Sequence, residues 1–110
     1  MKIAIPTAGG VLCSHFGHCE KFAMVEVSDG TIVGMTWHMP PPHEQGALPR
    51  FLKEKGANMI ISGGMGRRAQ QFFTEFGIEV VAGAPSLDPQ EVVRQYLSGI
   101  LVAGDNVCDH

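Results

Sequence analysis

Ala57-Asn-Met-Ile-Ile-Ser-Gly-Gly-Met-Gly-Arg-Arg-Ala69 is the stretch on which the fold turns. Its first half, Ala57–Ser62, is apolar and too short for a helix, so it reads as a buried strand. Gly63-Gly-Met-Gly66 breaks that run. Beyond it Ala69, Phe72, Phe73 and Phe76 share one helical face, and Gly77 stops the helix. A strand that passes through glycines into a helix is a building unit of α/β proteins.

Working outward, Ile78–Ala82 is a further strand. Asp88 reads as an N-cap, with Pro89 at the first helical position and Glu91 at capping-box spacing. Val92, Val93, Tyr96 and Leu97 give that helix its buried face, and Gly99 ends it. Upstream, Ala47, Leu48, Phe51 and Leu52 mark another helix, stopped by Gly56. His38-Met-Pro-Pro-Pro-His43 cannot continue a strand, because consecutive prolines lack N–H donors. Before it, Phe22–Val27 and Thr31–Trp37 flank Ser28-Asp29-Gly30, a hairpin signal. Lys2–Pro6 reads as a short strand, and Thr7–Glu20 as a loop.

The order β, β, β, α, β, α, β, α predicts a single α/β domain over residues 1–99, followed by a tail over 100–110. Its five-stranded mixed sheet combines an antiparallel three-strand meander with two parallel strands, and carries three helices. In that arrangement the first, third and fourth strands end on one edge of the sheet. The loops at Cys13–Cys19, His38–His43 and Gly63–Gly66 should therefore converge there, where open α/β sheets usually bind ligands.

Composition narrows the function. The 110 residues are 45% hydrophobic and 17% charged, as in an ordinary globular domain able to bury roughly two-thirds of its unfolded surface. A net charge of −3 without a basic stripe argues against nucleic-acid binding. No apolar run is long enough for a membrane span, and that of Met1–Pro6 is too short for a signal peptide. Three cysteines cannot all pair within one chain, so a reducing cytoplasm is the simplest expectation.

All five histidines and all three cysteines fall in three short segments, Cys13–Cys19, His38–His43 and Cys108–His110. Imidazole and thiol are the side chains that take transition metals at neutral pH. In His15-Phe-Gly-His18-Cys19 the glycine permits a tight turn around one ion, with soft donors that suit Cu(I), Zn(II) or a metal–sulfur cluster. The competing reading makes Cys19 a small core residue and one histidine a turn cap. Cys13 is open between ligand and core. His38 and His43 bracket the stiff prolines, either as preorganised ligands or as ordinary loop residues. Met39 and Met65 offer thioethers, although gap-filling core is the usual role of methionine. Cys108 and His110 are candidate ligands on a tail whose default state is frayed.

Gly63, Gly64, Met65 and Gly66, with Arg67 and Arg68, form a candidate anion site. Glycines allow close approach, and a helix start offers N–H groups. Two arginines in a first turn oppose the helix dipole unless an anion faces them. The plainer alternative is a simple turn followed by two solvated arginines. No Ser/His/Asp or Cys/His catalytic arrangement stands out, which favours a non-enzymatic role.

Met1-Lys-Ile-Ala-Ile-Pro6, Ser14-His-Phe-Gly-His18, Gly63-Gly-Met-Gly-Arg-Arg-Ala69 and Gly77-Ile-Glu-Val together resemble the dinitrogenase iron–molybdenum cofactor biosynthesis family. The resemblance implies a ribonuclease-H-like motif and non-catalytic binding of iron–molybdenum cofactor or its precursors. It extends to small orange-protein-like members that hold a molybdenum–copper sulfide cluster. His15 matches the family's histidine, and Gly64, Gly66 and Arg67 match its glycine loop. His18 and Cys19 depart from the commoner continuation, as expected of a subgroup with extra ligands. The function expected is carriage of a molybdenum–iron or molybdenum–copper sulfur cluster, or its anionic precursor, between assembly and recipient proteins. A zinc or copper chaperone or sensor is the alternative, and a small thiol-dependent enzyme a further one.

Overall fold

The computed structural model describes residues 1–14, 19–40 and 47–101. His15, His18, His43, Cys108 and His110 lie outside the described residues. The elements run β1 (Lys2–Ala8), β2 (Val11–Leu12), β3 (Lys21–Ser28), β4 (Thr31–His38), α1 (Ala47–Glu54), β5 (Met59–Ile61), α2 (Arg67–Glu75), β6 (Glu79–Val81) and α3 (Pro89–Leu97). The sheet order is β4-β3-β1-β5-β6, with β2 paired to β1. β1, β3 and β4 form the expected antiparallel meander, and β5 and β6 continue it in parallel.

The sheet has six strands rather than five. Thr7–Glu20, expected as a loop, begins with the end of β1 and includes β2. Gly9 and Gly10 adopt φ of 65° and 86°, and this double left-handed turn reverses the chain so that Ala8 pairs with Val11. Two paired residues are too few to leave a periodic trace in sequence. Thr7 pairs with Lys21 on one flank and Leu12 on the other, so β2 lies on the flank of β1 that faces β5. The β1–β5 ladder covers only Ile3 and Ala4, and β2 takes over the same lane beyond it. Pro6 thus sits inside β1 where no parallel partner needs its missing N–H, while its carbonyl accepts from Cys13 N–H at 2.8 Å.

Both faces of the inner strands β1, β3 and β5 are largely buried, by alternation along the strands. Ile3, Ile5, Ala23 and Val25 join Val92 and Val93 of α3 in one core. Ala4, Phe22, Met24 and Ile60 join Leu48 and Leu52 of α1 and Phe73 of α2 in the other. Phe72, expected on the buried face of α2, instead lines the outer side of that helix with Arg68, Gln71 and Glu75.

Local signals account for the connections. Asp29 and Gly30, at φ of 52° and 74°, form the two-residue turn between β3 and β4. At α3, Asp88 caps as expected and accepts from Gln90 N–H at 3.0 Å. Glu91 does not reach back to complete a capping box. Its carboxylate accepts from Arg94 and Gln95 instead, which are nearer along the exposed helix face.

Candidate metal or cluster site

β4 and β1 both run antiparallel to β3, and β5 and β6 run parallel to β1. The carboxyl ends of β1, β4, β5 and β6 therefore share one edge with the amino end of β3. Cys13 and Ser14 follow β2 there, Cys19 and Glu20 precede β3, and Gly63–Gly66 follows β5. The expected convergence of the first Cys/His segment and the glycine loop is present in direct contact. Gly64 donates its N–H to the Ser14 carbonyl at 2.7 Å.

That contact gives Gly63 a role the sequence did not suggest. A methyl group there would fall 2.5 Å from the Ser14 carbonyl oxygen and 2.6 Å from that of Cys13. The glycine is required for backbone-to-backbone approach within the protein. Its carbonyl accepts from Gly83 N–H at 3.0 Å, and that of Ser62 accepts from Ala84 N–H at 3.0 Å. The loop is thus pinned on both sides. Only from Gly66, the N-cap of α2, does it turn outward; that cap has no side-chain hydrogen bond, and Arg67 and Arg68 beyond it are exposed. Met65 is fully buried in the core beneath α1 and α2.

On the facing side, Cys13 is 6% exposed and Cys19 half-buried. Burial pushes the Cys19 thiol up to about 11, with a smaller contribution from the nearby Cys13 and a partial offset from its own backbone N–H. Cys13 is tied to β1 by its N–H to the Pro6 carbonyl, and Cys19 is next to Glu20, whose N–H donates to the Thr7 carbonyl at 2.7 Å. Glu20 also accepts from Gly9 N–H at 3.0 Å, joining the β1–β2 turn to the entry of β3.

His38 ends β4 opposite Phe22, and its Nε2 lies 2.8 Å from the Thr36 hydroxyl, back along its own strand. It lines a depression with Lys2, Glu26 and Lys55 rather than with the cysteines. Among the described residues, no three His, Cys, Asp or Glu side chains are grouped as a metal site. A residue that sequence reasoning passed over is Trp37. It lines a shallow depression on the site edge with Thr7, Gly9, Gly10, Glu20 and Lys21. An exposed tryptophan near a strand end was the available signal.

Residues 1–99 match the family model described as dinitrogenase iron-molybdenum cofactor. The chain belongs to this family. An uncharacterized protein of Methanocaldococcus jannaschii is 35% identical over 107 residues, covering 92% of this chain and 89% of that protein. The crystal structure of the protein PH0822 superposes with a TM-score of 0.86 at 30% identity, covering 94% of each chain. The apo orange protein of Desulfovibrio gigas has the same fold, with a TM-score of 0.76 at 20% identity over 96% of this chain and 93% of that one. Within the iron–molybdenum cofactor family match lie all the strands of the converging edge and the whole glycine loop. Cys108 and His110 fall beyond it. Among the described residues, no helix is long and apolar enough to cross a membrane.

Proposed function

We propose that this chain is a non-catalytic carrier of an anionic metal–sulfur cluster or its precursor, of molybdenum–iron or molybdenum–copper type, working in the cytoplasm between cluster-assembly and recipient proteins. The observation that carries this reading is the junction of Ser14 with Gly64. It brings Cys13 and Ser14 beside the glycine loop that leads into a helix start bearing two exposed arginines, which supports the reading. His15, His18 and Cys19 would supply donors to the metal, and Arg67 and Arg68 would offset the charge of a thiomolybdate-like anion. His43, Cys108 and His110 remain candidate accessory ligands, with 100–110 acting as a tail to the 1–99 domain.

A thiol enzyme fits less well. A nucleophilic cysteine needs a lowered pKa, and burial moves Cys19 the other way. Elemental analysis and a visible spectrum of protein purified from its native host test the proposal. Molybdenum with charge-transfer colour is expected. A single colourless divalent ion would instead make this a zinc carrier. Replacing His15, His18 and Cys19 together by alanine should abolish stoichiometric tetrathiomolybdate binding in a folded protein, and undiminished binding would overturn the ligand assignment.

A further inference from the structure

Cys13, Cys19 and Met65 belong to segments that meet on one face of the sheet at the site edge. Leu12 points into the core under α3, so alternation turns Cys13 to the opposite face. The Cys13 N–H bond to Pro6 continues the β1–β2 pairing and places Cys13 beside Pro6, which itself pairs with Phe22. Phe22 belongs to the core beneath α1 and α2, and Cys19 packs against that same core. Met65, fully buried in it, follows the glycine whose N–H is bonded to Ser14, the neighbour of Cys13. With no side chain on Gly63, nothing holds the two loops apart at this point.

We propose that Cys13 and Cys19, with the Met65 thioether as a third donor, form a soft-metal site that takes one Cu(I) ion. This rests on the reading of the edge as a metal site and names the metal class that the sulfur donors select. Thiolate and thioether together favour Cu(I), which accepts two or three ligands. Zn(II) in a structural site asks for four donors of the Cys, His or carboxylate type, and the described residues group no three of them. Binding releases one proton from each thiol to solvent, and no electron is transferred.

The test is an anaerobic titration of the metal-free protein with Cu(I) against a chromophoric Cu(I) chelator, alongside Zn(II) and tetrathiomolybdate. One Cu(I) per chain is expected. Cys13→Ser and Cys19→Ser should each weaken it by about 100-fold, and Met65→Leu, which keeps the shape, by about tenfold. Should a serine variant misfold, the parent gives the answer: one equivalent of Cu(I) should protect Cys13 and Cys19 from alkylation, and one equivalent of Zn(II) should not. Parent-like Cu(I) affinity in folded Cys13→Ser, or Cys13 alkylation indifferent to copper, overturns the site. If tetrathiomolybdate still binds in that case, the carrier reading stands without it. Cu(I) bound through these sulfurs with no tetrathiomolybdate binding supports the site and removes the carrier reading.

Discussion

Gly63–Met65 and Cys13–Ser14 meet at one edge of the sheet, yet the first is held through its backbone and the second begins the segment of candidate donors. Gly63 and Gly64 are buried, and their polar groups engage Gly83 and Ser14. Cys19, by contrast, is half-buried with a thiol kept neutral by its surroundings. One loop is a wall pinned by its backbone, and the other carries the candidate donors. A glycine-rich motif that looks like a ligand cradle can therefore owe its first two glycines to protein packing. In the proposed copper site, this wall would hold Cys13 and Met65, on separate segments, at a set separation before a metal arrives, which is preorganisation.

The largest expected effect comes from breaking the wall. Gly63→Ala places a methyl group within 2.5 Å of a backbone oxygen, and neither loop can yield without losing hydrogen bonds. A loss of about 1–3 kcal/mol is expected from urea unfolding, typical of overpacking. Gly34→Ala is the control. Its added methyl group meets nothing within 4 Å, so stability should stay within about 0.5 kcal/mol. Equal effects at the two positions would mean that Ser14 and Gly63 are not locked together.

The same contrast explains what could be read in the sequence. β3 and β4 were legible because alternation and Asp29-Gly30 agree, and α2 because Ala69, Phe73 and Phe76 recur on one face. Long periodic elements carry their own signal. β2 was not legible, since Val11 and Leu12 have meaning only beside Ala8 and Thr7. Convergence of the first Cys/His segment with the glycine loop followed from strand directions alone. The Gly63 contact did not, because a close approach between residues 49 apart in the chain leaves no mark on either segment. His38 was grouped with the cysteines by residue type, whereas side-chain direction turns it toward Thr36.

A smaller effect should come from the outer end of the glycine loop. Arg67→Gln with Arg68→Gln removes two charges from the first turn of α2, a position where arginine is unfavourable unless an anion faces it. Each charge is worth about 0.3–1 kcal/mol there, so tetrathiomolybdate affinity should fall by about tenfold, and the parent's affinity should decline with salt. Cu(I) affinity should hold or rise slightly. Equal losses for both ligands would show that the arginines act through structure rather than charge.

The smallest effect concerns Cys19. Its pKa is raised from 9.0 to about 11 in the folded protein, chiefly by burial. Below 9.0 the thiol is protonated in both folded and unfolded chains and contributes no pH dependence. Between 9.0 and about 11 the unfolded chain binds fewer protons than the folded one, so stability must fall as pH rises. Partial exposure screens the effect to no more than about 1 kcal/mol. Urea midpoints of the parent and Cys19→Ser, compared below and above pH 9.0, should diverge only above it. Alkylation of Cys19 should likewise accelerate toward a midpoint near 11, well above that of an ordinary thiol. A midpoint below 9.0 would mean that a cation in the folded protein stabilises the thiolate, and Cys19 would then belong with reactive cysteines rather than with a quiet donor set beside the wall.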